Sequence, residues 1–585
     1  MLPPRNAIGR IPIHVGSVSP RSSGPKIHLR PFTQRTQLLL SPPPGRPQLP
    51  FLSPLAPSRP LPPLSIHLRK HFGRLISTES REGYKRRLGR SLKVGISFGA
   101  ILVLFSIIQL GVYQEDIEHQ WPTPPEWSWK SRWSLRSAQA LQHPDYIGKL
   151  MTNWPMVAGY MAELLERLED VQGEGKGIVE LYDGGLLVEG VGRMGLDISA
   201  KSEPWRRGYF QALMGAAKAA ENLDGWVTDR RQKISAPADY VVGPSNPRPK
   251  PMPAGQKKVI HEEDCERASP PPETFYMKVL TTKGFDTRQK LDAALAYADW
   301  LDFKGLQETA RDMYVWAMDI AASGFEGEAN KIVDLKTGVL KNNPTDLPSE
   351  NILRVSTALA VHNARQRNLP AALSIFTSVL KARRNLPLSS DSSLKFPLPT
   401  PPTTSFNDPF SALFKSLKTV LIPVEYPPPL PSGDQPPHRT ASSPCDEAGL
   451  MTYIGEIIYA SSSHDEGLAW TRDAVEIAES TMLSLGSNEK AVRAQCAQCL
   501  KVGLENWKTM VSALVARAQK EETESLEQAK KAWYGGERHA KKKAEISRRW
   551  KAEEAILEDR IRNLFPLLVG ESELDSLSPN SSLFL

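Results

Sequence analysis

Along the chain, long polar stretches broken by proline alternate with blocks in which apolar residues recur every three or four positions. One block stands apart from both. Val94–Tyr113 (VGISFGAILVLFSIIQLGVY) runs for twenty residues without a charge. A helix rising ~1.5 Å per residue needs about twenty to cross bilayer hydrocarbon. A buried core helix is the competing reading, but no other window is as long and as free of charge. The pattern therefore predicts a single transmembrane helix over 94–113.

Beyond it the helical period returns. Tyr146–Asp170 sets Leu150, Trp154, Val157, Met161, Leu164, Leu165 and Leu168 at three- and four-residue steps, which predicts a helix. Arg206–Leu223 reads as an alanine-rich helix, and 235–272 as a Pro-rich linker. From Phe275 an internal rhythm emerges. Ala298 is followed by Ala310, Tyr314 and Ala317; Ala360 by Ala372, Phe376 and Val379; Gly455 by Gly467, Thr471 and Ala474. Small residues where two helices cross, followed by a larger one toward the next pair, are the mark of tetratricopeptide (TPR) repeats. The leading Trp of that motif is absent (Ala294, Ser356, Met451), and a non-repeating helical bundle is the plainer alternative.

The expected fold is all-α: a TPR-like helical solenoid on one transmembrane helix, with a disordered N-terminal presequence and Pro-rich loops. The expected divisions are a presequence (1–76), a basic segment (77–93), the membrane helix (94–113) and a Trp-rich juxtamembrane linker (114–145). An N-terminal helical, TPR-like part (146–234), the linker (235–272) and TPR repeats (273–384) follow. A Pro-rich insertion (385–445), a further repeat with C-terminal helices (446–564) and a flexible tail (565–585) complete the chain. Within the insertion Pro409–Leu421 is amphipathic, and a surface excursion able to dock back on the groove is expected. The charged stretch Arg517–Leu564 reads as a long solvated helix, bent at Gly535-Gly536.

Charge changes the picture only once it is divided at the membrane. The net +8 conceals +15 over residues 1–113, where seventeen Lys/Arg face Glu79 and Glu82, and −7 over the rest, where 56 basic residues face 63 acidic. A nucleic-acid surface is therefore not expected. Positive charge before the helix and Glu115, Asp116 and Glu118 after it place the N-terminal part on the inner side. From Met1 to Thr78 there is no Asp or Glu, and Arg, Ser and Pro abound, as in a mitochondrial transit segment. Leu64–Thr78 forms a basic amphipathic pattern, and Arg74, Ile76 and Ser77 mark the expected cleavage region. Together these predict a single-pass inner-membrane protein with its N-terminus in the matrix and its C-terminal domain in the intermembrane space.

Other motifs add little. Gly95 and Gly99 form a GxxxG, which lets a second helix approach closely. Trp121, Trp127, Trp129 and Trp133 suit the bilayer surface. Gly190-Val-Gly192-Arg-Met-Gly195 fits the dinucleotide fingerprint by letter, but no helix is expected to open there. Gly173–Gly177 reads as a loop. Four cysteines do not make a disulfide framework, and Cys496-Ala-Gln-Cys499 reads as two thiols on one helix face. No catalytic, cofactor or metal residues are expected.

Three segments carry a resemblance: EWSWKSRW (126–133), ALAYADWLDFKGLQETARDMYVWAMDIA (294–321) and YIGEIIYASSSHDEGLAWTRDAVEIA (453–478). With the presequence and the single membrane helix, they resemble the TPR-containing adaptor subunit of the fungal mitochondrial inner-membrane i-AAA protease. The insertion at 385–445 and the glycine-rich stretch at 173–195 depart from that pattern. The resemblance implies a non-enzymatic adaptor that binds unfolded or membrane protein substrates. Its partners would be the i-AAA protease and the other adaptor subunit, with no nucleic acid and no small-molecule substrate. The repeat register turns Tyr297, Leu301, Asn363 and Ile458 toward the expected concave binding face. A membrane-anchored TPR import receptor or scaffold is the alternative.

Overall fold

The computed structural model describes residues 78–143, 146, 151–181, 186–188, 192–251, 259–341, 347–388, 424–485, 490–531 and 536–568. The expected presequence with Arg74, Ile76 and Ser77, the amphipathic stretch Pro409–Leu421 and the chain after 568 lie outside them. The described residues are mostly helical.

Helix α1 (Thr78–Gln120) is longer than its apolar centre. Val94, Phe98, Ile101 and Phe105 stand 55–68% exposed, which a core helix would not allow. The helix is long and apolar enough to cross a membrane, and none of its apolar window is buried. Nothing lies within 4 Å of a Cβ built on Gly95 or Gly99, so that face is open.

The foot of α1 is tied down by charge. Glu118, 2% exposed, accepts from the backbone N–H of Thr123 (2.9 Å) and pairs with Arg132 (2.9 Å) and Arg136 (2.8 Å) of α2 (Trp129–Ala140). Arg136 also donates to the carbonyl of Gln114 (3.1 Å). The expected juxtamembrane linker is thus a built joint. Trp127 is core, 4% exposed and packed where Gly208 leaves room, rather than a residue of the bilayer surface. Trp129 is the exposed one, at 64%.

Helices α3 (Trp154–Glu169) and α4 (Glu203–Asn222) follow. Asn153 and Ser202 cap them with side-chain oxygens, and Pro155 and Pro204 sit in their first turns, where a missing N–H costs nothing. Between them lie two short antiparallel pairs, β1 (Val179–Glu180) with β4 (Leu196–Asp197), and β2 (Leu186–Val188) with β3 (Gly192–Met194). Within the GxGxxG stretch Gly192–Met194 is thus a strand paired with β2, and β4 rather than a helix follows Gly195.

The all-α expectation fails at the supposed linker. β5 (Trp226–Asp229), β6 (Ile234–Pro237) and β7 (Cys265–Arg267) form an antiparallel sheet in the order β6-β5-β7. Asp229 closes the hairpin by accepting from the N–H groups of Arg231 and Gln232, and Lys233 takes φ 52°. Ala236, Val241 and Ile260 make a small core beneath it.

After α5 (Pro272–Thr281) come antiparallel pairs: α6 (Thr287–Phe303) with α7 (Gln307–Ser323), then, past the short α8 (Ala329–Ile332), α9 (Glu350–Arg365) with α10 (Leu369–Arg384). The third is α11 (Ser443–Ser461) with α12 (His464–Ser484). Successive pairs touch, α7 against α9 and α10 against α11. The first two pairs turn over three residues, with Gly305 (φ 78°) and Arg367 (φ 61°) both left-handed. Helices α13 (Lys490–Lys531) and α14 (Gly536–Leu568) close the array as an antiparallel hairpin, Lys543 meeting Glu521 and Ser512 meeting Glu554. The expectation of a solvated C-terminal helix is overturned. Trp550, Leu557 and Leu564 are buried, and Arg560 of α14 pairs with Glu479 of α12 at 2.5 Å.

Candidate functional site

One side of the array carries a cavity of about 380 Å³ between α9, α10, α11 and α13. Its size lies at the lower end of ligand pockets. Tyr453, Leu450 and Val502 give it an apolar lining, and Gly449 also lines it, where a Cβ would make ordinary contact with the Cys499 sulfur at 3.7 Å. Tyr453 is held by stacking on Phe376, with ring centroids 5.3 Å apart.

Charge gathers at the edge. Arg383 stands between Glu350 (3.3 Å) and Asp446 (3.9 Å), and Asp446 accepts from Gln495 (2.7 Å). Burial pushes the Asp446 carboxyl above its ordinary value, although Arg383 pulls the other way. Burial likewise pushes the Cys499 thiol up, with Asp446 adding to the effect. A thiol so placed stays protonated and is a poor nucleophile. Behind the pocket, Cys445 of α11 and Cys496 of α13 form a disulfide, so the CxxC reading is corrected. Cys496 is tied to another helix, and Cys499 and Cys265 are the free thiols. Glu447, 5% exposed, fixes the start of α11 through Arg384 (3.3 Å) and Arg439.

The expected packing positions are buried: Ala298, Ala310, Ala317, Ala360, Ala372 and Phe376 are fully enclosed, Ala474 is 1% exposed and Tyr314 3%. Gly455 and Gly467 face each other across α11 and α12, where a Cβ on Gly467 would lie 2.4 Å from the Tyr459 nitrogen. The expected face residues divide. Tyr297 is half-buried, stacked between Tyr276 (5.5 Å) and Trp300 (6.1 Å), and Ile458 is half-buried against the core. Leu301 is 2% exposed and is a packing residue, because the α6 register turns it inward. Asn363 donates to the Leu359 carbonyl (2.9 Å) of its own helix and accepts from Asn368 (3.3 Å) in the turn that follows, so its amide is already engaged within its own helix pair.

Sequence reasoning missed the pocket lining on α11 and α13, whose residues meet only through the fold. It also missed a buried polar knot joining three helices. His362 of α9 lies 2.8 Å from Asp302 of α6, both side chains 4% exposed, and Tyr314 of α7 donates to the same carboxylate (3.3 Å). Among the described residues no group of three or more His, Cys, Asp or Glu is placed to hold a metal ion. Comparison with protein families, with curated proteins and with solved structures finds no match for this chain.

Proposed function

We propose that this chain is a non-enzymatic adaptor of a membrane-bound ATP-dependent protease, the i-AAA protease of the mitochondrial inner membrane. In this reading a TPR-like solenoid in the intermembrane space binds unfolded or membrane protein substrates and delivers them for degradation. The observation that carries the reading is the apolar pocket on the helical array, between Thr357, Tyr453 and Val502. It suits the insertion of an apolar side chain from a polypeptide, with Arg383 and Asp446 beside it for main-chain or charged groups.

Two further features support it. The exposed, uncharged centre of α1 suits an anchor, and the Glu118 clamp holds the foot of that helix to the soluble array. The Cys445–Cys496 disulfide favours an oxidising compartment over cytosol or matrix. It weighs against the cytosolic import receptor, the principal alternative.

The test is protease protection followed by co-purification. Residues from Gln114 onward resist added protease in intact mitochondria and become sensitive once the outer membrane is ruptured. A tagged full chain brings down the ATP-dependent protease, and Gly95→Leu with Gly99→Leu weakens that recovery while insertion is kept. Digestion in intact organelles overturns the topology and favours the receptor.

A further inference from the structure

The described arm of the insertion, residues 424–442, runs without helix or ladder strand across the beginnings of α4, α6 and α9. It is held by its backbone. The Arg207 guanidinium donates to the carbonyls of Pro427 (2.6 Å) and Pro428 (2.8 Å), and Arg288 donates to that of Pro431 (3.3 Å). Asn351 donates from its side chain to the Ser432 carbonyl (2.9 Å) and from its N–H to that of Gly433 (3.1 Å). The Glu350 N–H reaches the Gln435 carbonyl (3.3 Å). These last two donors lie in the first turn of α9, where the helix supplies no partner.

Side chains of the arm are barely read. Pro427 to Ser432 are exposed, and Leu430 stands 67% in the open. Between residues 426 and 435, the Tyr426 ring, 4.3 Å from the Arg207 guanidinium, and the Asp434 carboxylate, 3.0 Å from the Asn351 amide, contribute; further on, the Arg439 side chain pairs with Glu447. A piece of core would bury its leucine and its prolines. A surface that grips carbonyls grips what every extended polypeptide offers. Proline suits it best, because its fixed φ lowers the cost of ordering and it brings no N–H in need of a partner.

We propose that the surface formed by Arg207, Arg288 and Asn351 is a binding site for an extended, proline-rich segment of another polypeptide. Residues 426–435 occupy it in cis as a displaceable stand-in. The proposal rests on the polypeptide-binding reading above and names the class of client segment. Because the stand-in is tethered, its effective concentration is high, and a free segment competes poorly until the stand-in is loosened.

The test uses the full chain in detergent micelles and a fluorescent peptide of sequence YPPPLPSGDQ, read by anisotropy. Tyr426→Ala and Asp434→Ala, made singly and together, each loosen the arm and tighten peptide binding, the double variant at least tenfold. Adding Arg207→Ala and Arg288→Ala to the loosened chain abolishes that gain. A peptide with Leu430→Ala binds within about threefold of the parent, since that side chain is not read. Far-UV helix content and thermal melts accompany every variant, and if the double variant does not fold, the Asp434→Ala chain gives the answer alone. A loosened, folded chain that binds no more tightly than the original overturns the proposal. If client degradation still depends on the chain in that case, the adaptor reading survives and only this site is lost.

Discussion

At Gly467 a side chain has nowhere to go: a Cβ there lies 2.4 Å from the backbone nitrogen of Tyr459 and 2.6 Å from the Gly455 carbonyl. Backbone cannot yield as a flexible side chain can, so Gly467→Val should destabilise the chain by about 1–3 kcal/mol in urea unfolding. Ala310→Leu and Ala372→Leu should do the same, since both alanines are fully enclosed. These positions were legible in the sequence, because small residues recur at fixed distances within each helix pair. Asp302 was not legible, since its partner His362 lies sixty positions away. Asp302→Ala removes the acceptor of both His362 and Tyr314 inside a nearly closed space. The loss should be about 1–3 kcal/mol, and His362→Gln should retain more stability than Asp302→Ala in the same measurement. An Asp302→Ala variant as stable as the original would mean that the knot contributes nothing.

Among the elements, the helices were legible where apolar spacing was strict, and their starts were set by local chemistry. Within the predicted Tyr146–Asp170 helix, residues 151–153 are not helical and α3 starts at Trp154, because Asn153 and Pro155 together make a start signal. Strand β7 at 265–267 was hidden inside a polar, proline-rich stretch, because its partner β5 lies some forty residues earlier. The covalent link between α11 and α13 was hidden for a related reason: CxxC suggests neighbours, whereas Cys496 pairs with Cys445, 51 positions away. Unreduced protein, unfolded in denaturant, should therefore show two free thiols, Cys265 and Cys499, and reduced, unfolded protein four. In the chain-entropy account, closing a loop of that length stabilises by about 4 kcal/mol, so Cys445→Ser should lower stability by up to that amount. Four thiols in the unreduced protein would remove the disulfide, and with it the support for an oxidising compartment.

For the molecule as a whole, the long apolar helix α1 was the plainest feature of the sequence, since no other stretch of the sequence combines such length with the absence of charge. The binding side was the least legible, because the pocket collects Thr357, Arg383, Asp446, Tyr453 and Val502 from four helices. In the proposed function, an anchored array holds polypeptide at the pocket and hands it to a protease in the same membrane. The most direct test is the turnover of a model client in cells lacking the native chain and supplied with either the original or a pocket variant. Tyr453→Glu and Val502→Asp place charge on residues 44% and 39% exposed, where solvent can accommodate it without unfolding the array. The prediction is that both variants melt as the original does, while the client persists several-fold longer, close to its lifetime in cells without the chain. A client that disappears at the normal rate beside folded, correctly inserted variants would contradict the account.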